Sequence, residues 1–133
     1  NKKQMGRAFQ RLFQDATARI IKRERADVIR QSRKKQSKED FAIWLDEFYE
    51  EHREFVMRNI APVIESHNEV LGITPEYQEI ERFTERHINN SKKEILSLIN
   101  DTNCDIEISL KQMFDRWEEK RTIEIAERET VNV

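Results

Sequence analysis

The sequence predicts an all-α protein, an elongated helical bundle or a set of helical hairpins built from about four long helices. Three observations carry this. Only two Gly and two Pro interrupt 133 residues, far too few for a turn-rich β fold. Glu, Lys, Arg, Ile and Gln are abundant, and most of these are good helix formers. Apolar residues recur at steps of three and four over long windows, and no alternating stretch is long enough for a strand. A chain of this length fits one domain with a modest core, so residues 1–133 read as a single helical domain.

The first helix is expected over residues 3–35. Met5, Phe9, Leu12, Phe13, Ala16, Ile20, Ile21, Val28 and Ile29 form its apolar face, and Gly6 weakens its first turn. Beyond Ile21 that face thins to Ala26, Val28 and Ile29 while charges crowd in, so the helix is expected to project past its partner there. At about 1.5 Å per residue it would span about 50 Å. A compact chain of this size is about 28–30 Å across, so the helix must bend or protrude.

Ser37 is placed to cap a second helix, with Asp40 in the turn that favours an acid. Phe41, Trp44, Leu45, Phe48, His52, Phe55, Val56 and Ile60 then give the densest aromatic stripe in the chain. Trp44, Phe48 and Phe55 are expected in the core, Tyr49 less so. Pro62 predicts a kink or break near residues 59–61, followed by a short continuation to Val70 and a C-cap at Gly72. Thr74-Pro75-Glu76 is the cleanest helix start, with Pro75 at the first helical position. The third helix carries Tyr77, Ile80, Phe83, His87, Ile88, Ile95, Leu98 and Ile99, with a weak spot at residues 89–91. Residues 100–105 read as a loop. The fourth helix starts at residues 106–109 and carries Leu110, Met113, Phe114, Trp117, Ile123 and Ile125. No Gly or Pro closes it before the chain ends at Val133, and the chain has no initiator Met. Both ends therefore read as cuts in a larger protein.

Charge is unevenly spread. Residues 1–38 hold 13 Lys and Arg against Asp15, Glu24 and Asp27, while residues 39–133 hold 11 against 23 acids. The stretch Arg19, Lys22, Arg23, Arg25, Arg30, Arg33, Lys34 and Lys35 is the best candidate for nucleic acid, since such a face neutralises phosphates without reading sequence. No aromatic interleaves it for base stacking. The plainer reading sets the basic helix against the acidic ones of the same chain or of a neighbouring copy. The single cysteine, Cys104, excludes an internal disulfide and fits a reducing compartment. No apolar run approaches the length of a membrane-spanning helix, so no membrane partner is expected.

Chemistry-bearing patterns are sparse. Asp101-x-Asn103-x-Asp105-x-Glu107-x-Ser109 imitates a calcium loop, but Ile106 stands where that loop needs Gly and Gln112 where it needs Glu. Turn-making and capping of the fourth helix fit better. His52, His67 and His87 show no ligand spacing, so no metal site is expected, and His52 and His87 read as satisfied core or boundary residues. Gly6 and Gly72 make neither a phosphate loop nor a nucleophile elbow. No catalytic residue, cofactor or enzymatic activity is expected.

Two stretches carry a family resemblance. Phe9-x-x-Leu12-Phe13-x-Asp15-Ala16, then Ile21-Lys22-Arg23-Glu24, then Phe41-x-x-Trp44-Leu45-x-x-Phe48-Tyr49-x-x-His52-x-x-Phe55-Val56 and Ala61-Pro62 resemble the helical region after the core of tailed-phage portal proteins of the HK97 type. Ile125-Ala126-x-x-Glu129-Thr130, after a Trp- and Glu-rich helix, resembles the opening of a Mu F-like minor head, or head-morphogenesis, domain. That family has Arg-Thr where this chain has Glu127-Arg128. The resemblance implies a structural component of a phage or prophage head, in the virion and in the host cytoplasm during assembly. It would act through contacts with other head proteins or further copies of itself, as an oligomer, in capsid assembly and DNA packaging. The alternatives are a nucleic-acid-binding module using the basic first helix and a coiled-coil-like interaction module unrelated to phage.

Overall fold

The chain folds as an elongated, all-helical four-helix bundle. A computed structural model describes the backbone of residues 2–74, 77–101, 103 and 105–130, and the side chains within those stretches from residue 6 onward. α1 spans Lys2–Ser32, α2 Lys38–Leu71, α3 Tyr77–Asn100, α4 Ile106–Arg116 and α5 Thr122–Glu129. A π-turn, Trp117–Arg121, joins α4 to α5, so the last three segments run as one continuous helix.

Consecutive helices are antiparallel neighbours. Arg25 pairs with Asp115 and Arg33 with Glu107, so partner numbers run in opposite directions along α1 and α4. Lys92 meets Asp46 and Arg53 meets Glu85 in the same manner across α2 and α3. α5 closes the ring back onto α1, and α1 and α3 stand diagonally opposite without backbone approach. This is the up-and-down arrangement that short connections favour.

Local chemistry explains the ends. Ser37 Oγ accepts the Asp40 amide at 3.0 Å and Asp105 Oδ1 accepts the Ile108 amide at 3.1 Å, so both residues cap helix N-termini. Gly72 ends α2 in the left-handed region at φ 71°, and the Ile73 amide reaches back to the Asn68 carbonyl at 2.9 Å. Pro75 and Glu76, Cys104 and the residues after Thr130 fall outside the described positions, as does the Met5 side chain.

Five expectations need correction. α2 is unbroken through Pro62, and α3 through residues 89–91, because each keeps a continuous buried face on either side of the weak spot. α1 does not project past its partners, since Val28 and Ile29 are buried against Phe41, Leu45 and Leu110. The bundle is simply long, with α2 alongside α1. Tyr49 is the fully buried aromatic of α2, whereas Trp44, Phe48 and Phe55 are half-buried. Finally, Ile123 is exposed and Thr122 buried in its place. The π-turn advances the inward face of the last helix by one residue, and the Thr122 amide bonds the Trp117 carbonyl five residues back.

The core divides into two apolar clusters along the bundle axis. One gathers Ile21, Val28, Leu45, Tyr49, Ile95, Leu110, Phe114 and Trp117. The other gathers Phe13, Ile20, Val56, Ile60, Ile80, Phe83, Ile125 and Ala126.

Candidate functional site

Where the two clusters meet, every helix contributes a polar side chain. Glu24 of α1 lies between Ile20/Ile21 and Val28, His52 of α2 between Tyr49 and Val56, and His87 of α3 between Phe83 and Ile88. Arg121, at the end of the π-turn, closes the layer from the fourth helix. Each of the first three sits on the stripe that its helix turns to the core, which is why they converge. Glu24 is 0% exposed, His87 3% and His52 4%.

The polar layer is held by a chain of contacts. His87 Nε2 lies 3.0 and 3.1 Å from the two oxygens of Glu24. Arg121 Nη2 donates to the His87 carbonyl at 3.1 Å and faces His87 Nδ1 at 3.3 Å, while Nη1 donates to Ser91 Oγ at 3.0 Å. A guanidinium only donates. Nδ1 must therefore accept, which places the ring proton on Nε2, pointing at Glu24. The guanidinium also lies 4.3 Å over the Trp117 ring, whose Nε1 donates to Glu94.

Two buried polar atoms remain without a hydrogen bond in this layer. His52 Nε2 stops 3.9 Å from Glu24 Oε1. The Tyr49 hydroxyl faces Glu24 and Ser91 without a well-formed bond to either. His52 is otherwise built into an aromatic ladder on α2, Trp44–Phe48–His52–Phe55, with successive centroids 5.1, 5.1 and 5.5 Å apart.

Ionisation follows from this environment. Burial alone would raise the Glu24 carboxyl, but His87 foremost, with His52 and Arg121 behind it, holds it down at about 2. Burial pushes His52 below its ordinary value, against the pull of Glu24. Burial and the Glu24 charge push the Tyr49 phenol well above its own. A third histidine, His67, lies elsewhere, edge-on to Phe9 and Phe13 at 4.9 and 5.9 Å, and burial lowers it too.

The layer reaches the surface beside a groove of about 420 Å³ between α3 and the fourth helix. Trp117 and Ile125 form its floor, and Arg86, Arg116, Lys120 and Glu124 stand on its walls.

The basic residues singled out in the sequence lie along α1 and just beyond it, not in one free patch. Arg25 is bound by Asp115 at 2.8 Å and Glu118 at 3.4 Å, and Arg33 by Glu107. Arg23 and Arg30 both pair with Asp27, and Arg23 also lies 5.0 Å over Phe55. Arg19 donates to Asn59 at 3.0 Å. Lys22, Lys34 and Lys35 are exposed. In the calcium-like stretch, Asp101 accepts the Asn103 amide at 2.9 Å and Asp105 caps α4, both turn-forming roles.

Convergence of Glu24, His52 and His87 was not visible from ligand spacing, because the three lie on three different helices. A signal did exist: each interrupts an apolar stripe midway along its helix. Neither a protein-family model, nor a curated protein, nor a solved structure matches this chain.

Proposed function

We propose that the chain is a structural segment of a phage or prophage head, part of a portal or minor head protein, working through protein–protein contacts in capsid assembly and DNA packaging. One observation supports this reading above others. Of the α1 and α2 residues that carry the family resemblance, Leu12, Asp15, Lys22, Arg23 and Pro62 are exposed, but Phe9, Phe13, Ala16, Ile21, Glu24, Phe41, Leu45, Tyr49, His52 and Val56 are buried inside the bundle. Their spacing thus describes a way of packing α1 and α2, which is what a structural family keeps. Outward, α2 offers Glu47, Glu50, Glu51 and Glu54 as an exposed acidic face for contacts.

Fractionation of particles produced by the encoding phage or prophage tests this. Mass spectrometry should find the chain in purified heads, at far lower copy than the major shell protein. Its absence from heads and head precursors overturns the reading.

The alternative, duplex DNA held by basic α1, draws on exposed Lys22, Lys34 and Lys35, since most of the arginines are engaged by the chain's own carboxylates and rings. Binding that weakens steeply with salt would support it, and salt-insensitive or undetectable binding would exclude it.

A further inference from the structure

We propose that Glu24, His52 and His87 form a buried binding site for a divalent transition-metal cation, zinc above all, at the level where the two apolar clusters meet. Each of three helices supplies one ligand group, and one ligand atom from each lies within 4.8 Å of the others. The unpaired His52 Nε2 is the independent sign. It is buried, it lies 3.9 Å from Glu24 Oε1, and it has no hydrogen-bond partner. An orphaned buried nitrogen is costly, because it has given up its water without gaining a partner. Coordination uses that lone pair and removes the cost.

The donor set selects the cation. Two imidazoles and one carboxylate are a zinc set, with a fourth position left for water or another oxygen. Calcium and magnesium, which take oxygen ligands, are disfavoured by the two imidazoles. The Tyr49 hydroxyl, the second orphan of this layer, faces Glu24 and is a protein oxygen that could take the fourth position.

Arg121 opposes the cation. A metal-bound histidine ordinarily donates its other ring N–H to an acceptor. Here that place beside His87 Nδ1 is held by a guanidinium, which cannot accept and carries a positive charge. Without metal, Nε2 of His87 keeps its proton on Glu24. With metal, the ring takes its other tautomer: the proton passes from Nε2 to Nδ1, Nε2 ligates through its freed lone pair, and Arg121, which cannot accept from Nδ1–H, turns away into the groove lined by Glu94 and Glu124. Arg121 is therefore a positioning residue that sets how tightly the site binds, and this distinguishes a metal site from a merely structural polar layer.

The test uses the full chain, stripped with a chelator and titrated with zinc by calorimetry, and with cobalt as a visible-absorption probe of four-coordinate geometry. One cation per chain is expected. His52→Gln and Glu24→Gln should weaken binding by about 100-fold or more, and Arg121→Gln should strengthen it by about tenfold. Circular dichroism reports whether each variant folds. Anomalous diffraction from wild-type crystals grown with zinc locates the cation without any variant. A bound water joining Tyr49, His52 and Glu24 with no anomalous peak, substoichiometric zinc uptake, affinity unchanged in folded His52→Gln, or weaker binding by Arg121→Gln would each overturn the proposal.

Discussion

His87 spans both carboxylate oxygens of Glu24, at 3.0 and 3.1 Å, between α1 and α3, which stand diagonally across the bundle. The pair ties together two helices whose backbones never approach. Replacing His87 with an apolar residue leaves the buried Glu24 carboxylate charged and without its hydrogen-bond donor. His87→Leu should cost about 3–5 kcal/mol, and Glu24→Leu/His87→Leu together should recover much of that loss. Urea unfolding of the two single variants and the double variant, with chelator present, measures the coupling. Additive losses would show that the pair does not act as a unit.

Stability should fall steadily on acidification. His52 and His67 are held below their ordinary value of 6.5 and stay neutral in the folded chain, while the unfolded chain takes up those protons as pH drops below 6.5. Glu24 is held down to about 2 from an ordinary 4.5, so between those values the unfolded state again binds the extra proton. Both effects have one sign: stability is greatest above 6.5, and is lost first through the histidine window and then through the carboxylate window. Urea midpoints measured with chelator at about pH 8, 6 and 4 check this. A constant midpoint from the highest to the middle value would contradict neutral buried histidines.

Pro62 sits in the interior of α2 on an exposed position. It lacks the amide that would bond the Arg58 carbonyl. Pro62→Ala should therefore stabilise the chain by about 1–3 kcal/mol, the restored helical bond outweighing the greater freedom of the unfolded chain. Thermal and urea unfolding would read this directly. A loss of stability would mean that the proline shapes α2 in a way its neighbours require.

Gly72 adopts a left-handed conformation with open space around the position of a Cβ. Gly72→Ala should cost about 1 kcal/mol from backbone strain alone, and Gly72→Asn less, because Asn tolerates this region better. Equal losses for the two would point to a steric cause instead.

Much of the bundle could be read from spacing. The α1 stripe from Phe9 to Ile29, apart from exposed Leu12 and Ala26, the Ser37 cap, the Gly72 stop and the loop before Ile106 all follow from local chemistry, and local chemistry is what a sequence displays. Pro62 misled because burial of Ile60, Val63 and Ile64 outweighs one missing helical bond. The thinning of apolar residues after Ile21 misled because Glu24 looks like a surface charge until two other helices bring His87 and Arg121 to it. Tyr49 was underestimated for the same reason. Its face belongs to the core at the level of the polar layer, whereas the half-buried Trp44, Phe48 and Phe55 stack along one side of the helix. Contacts such as Glu24 with His87 join residues 63 positions apart, and no local pattern encodes them.

The π-turn at Trp117–Arg121 also bears on how the chain tolerates changes in length. A regular helix admits no loss of a residue without rotating everything beyond it by about 100°. The fourth helix already carries one residue more than its α-helical phase requires, held in the wider turn. Deleting exposed Glu119 would let that turn relax to ordinary α-helix while Thr122, Ile125 and Ala126 keep facing inward. Deleting equally exposed Gln112, in α4, offers no such slack and would twist Leu110 out of step with Met113 and Phe114. The segment beside the polar layer is thus the one place in this helix where the bundle can be shortened without being rebuilt.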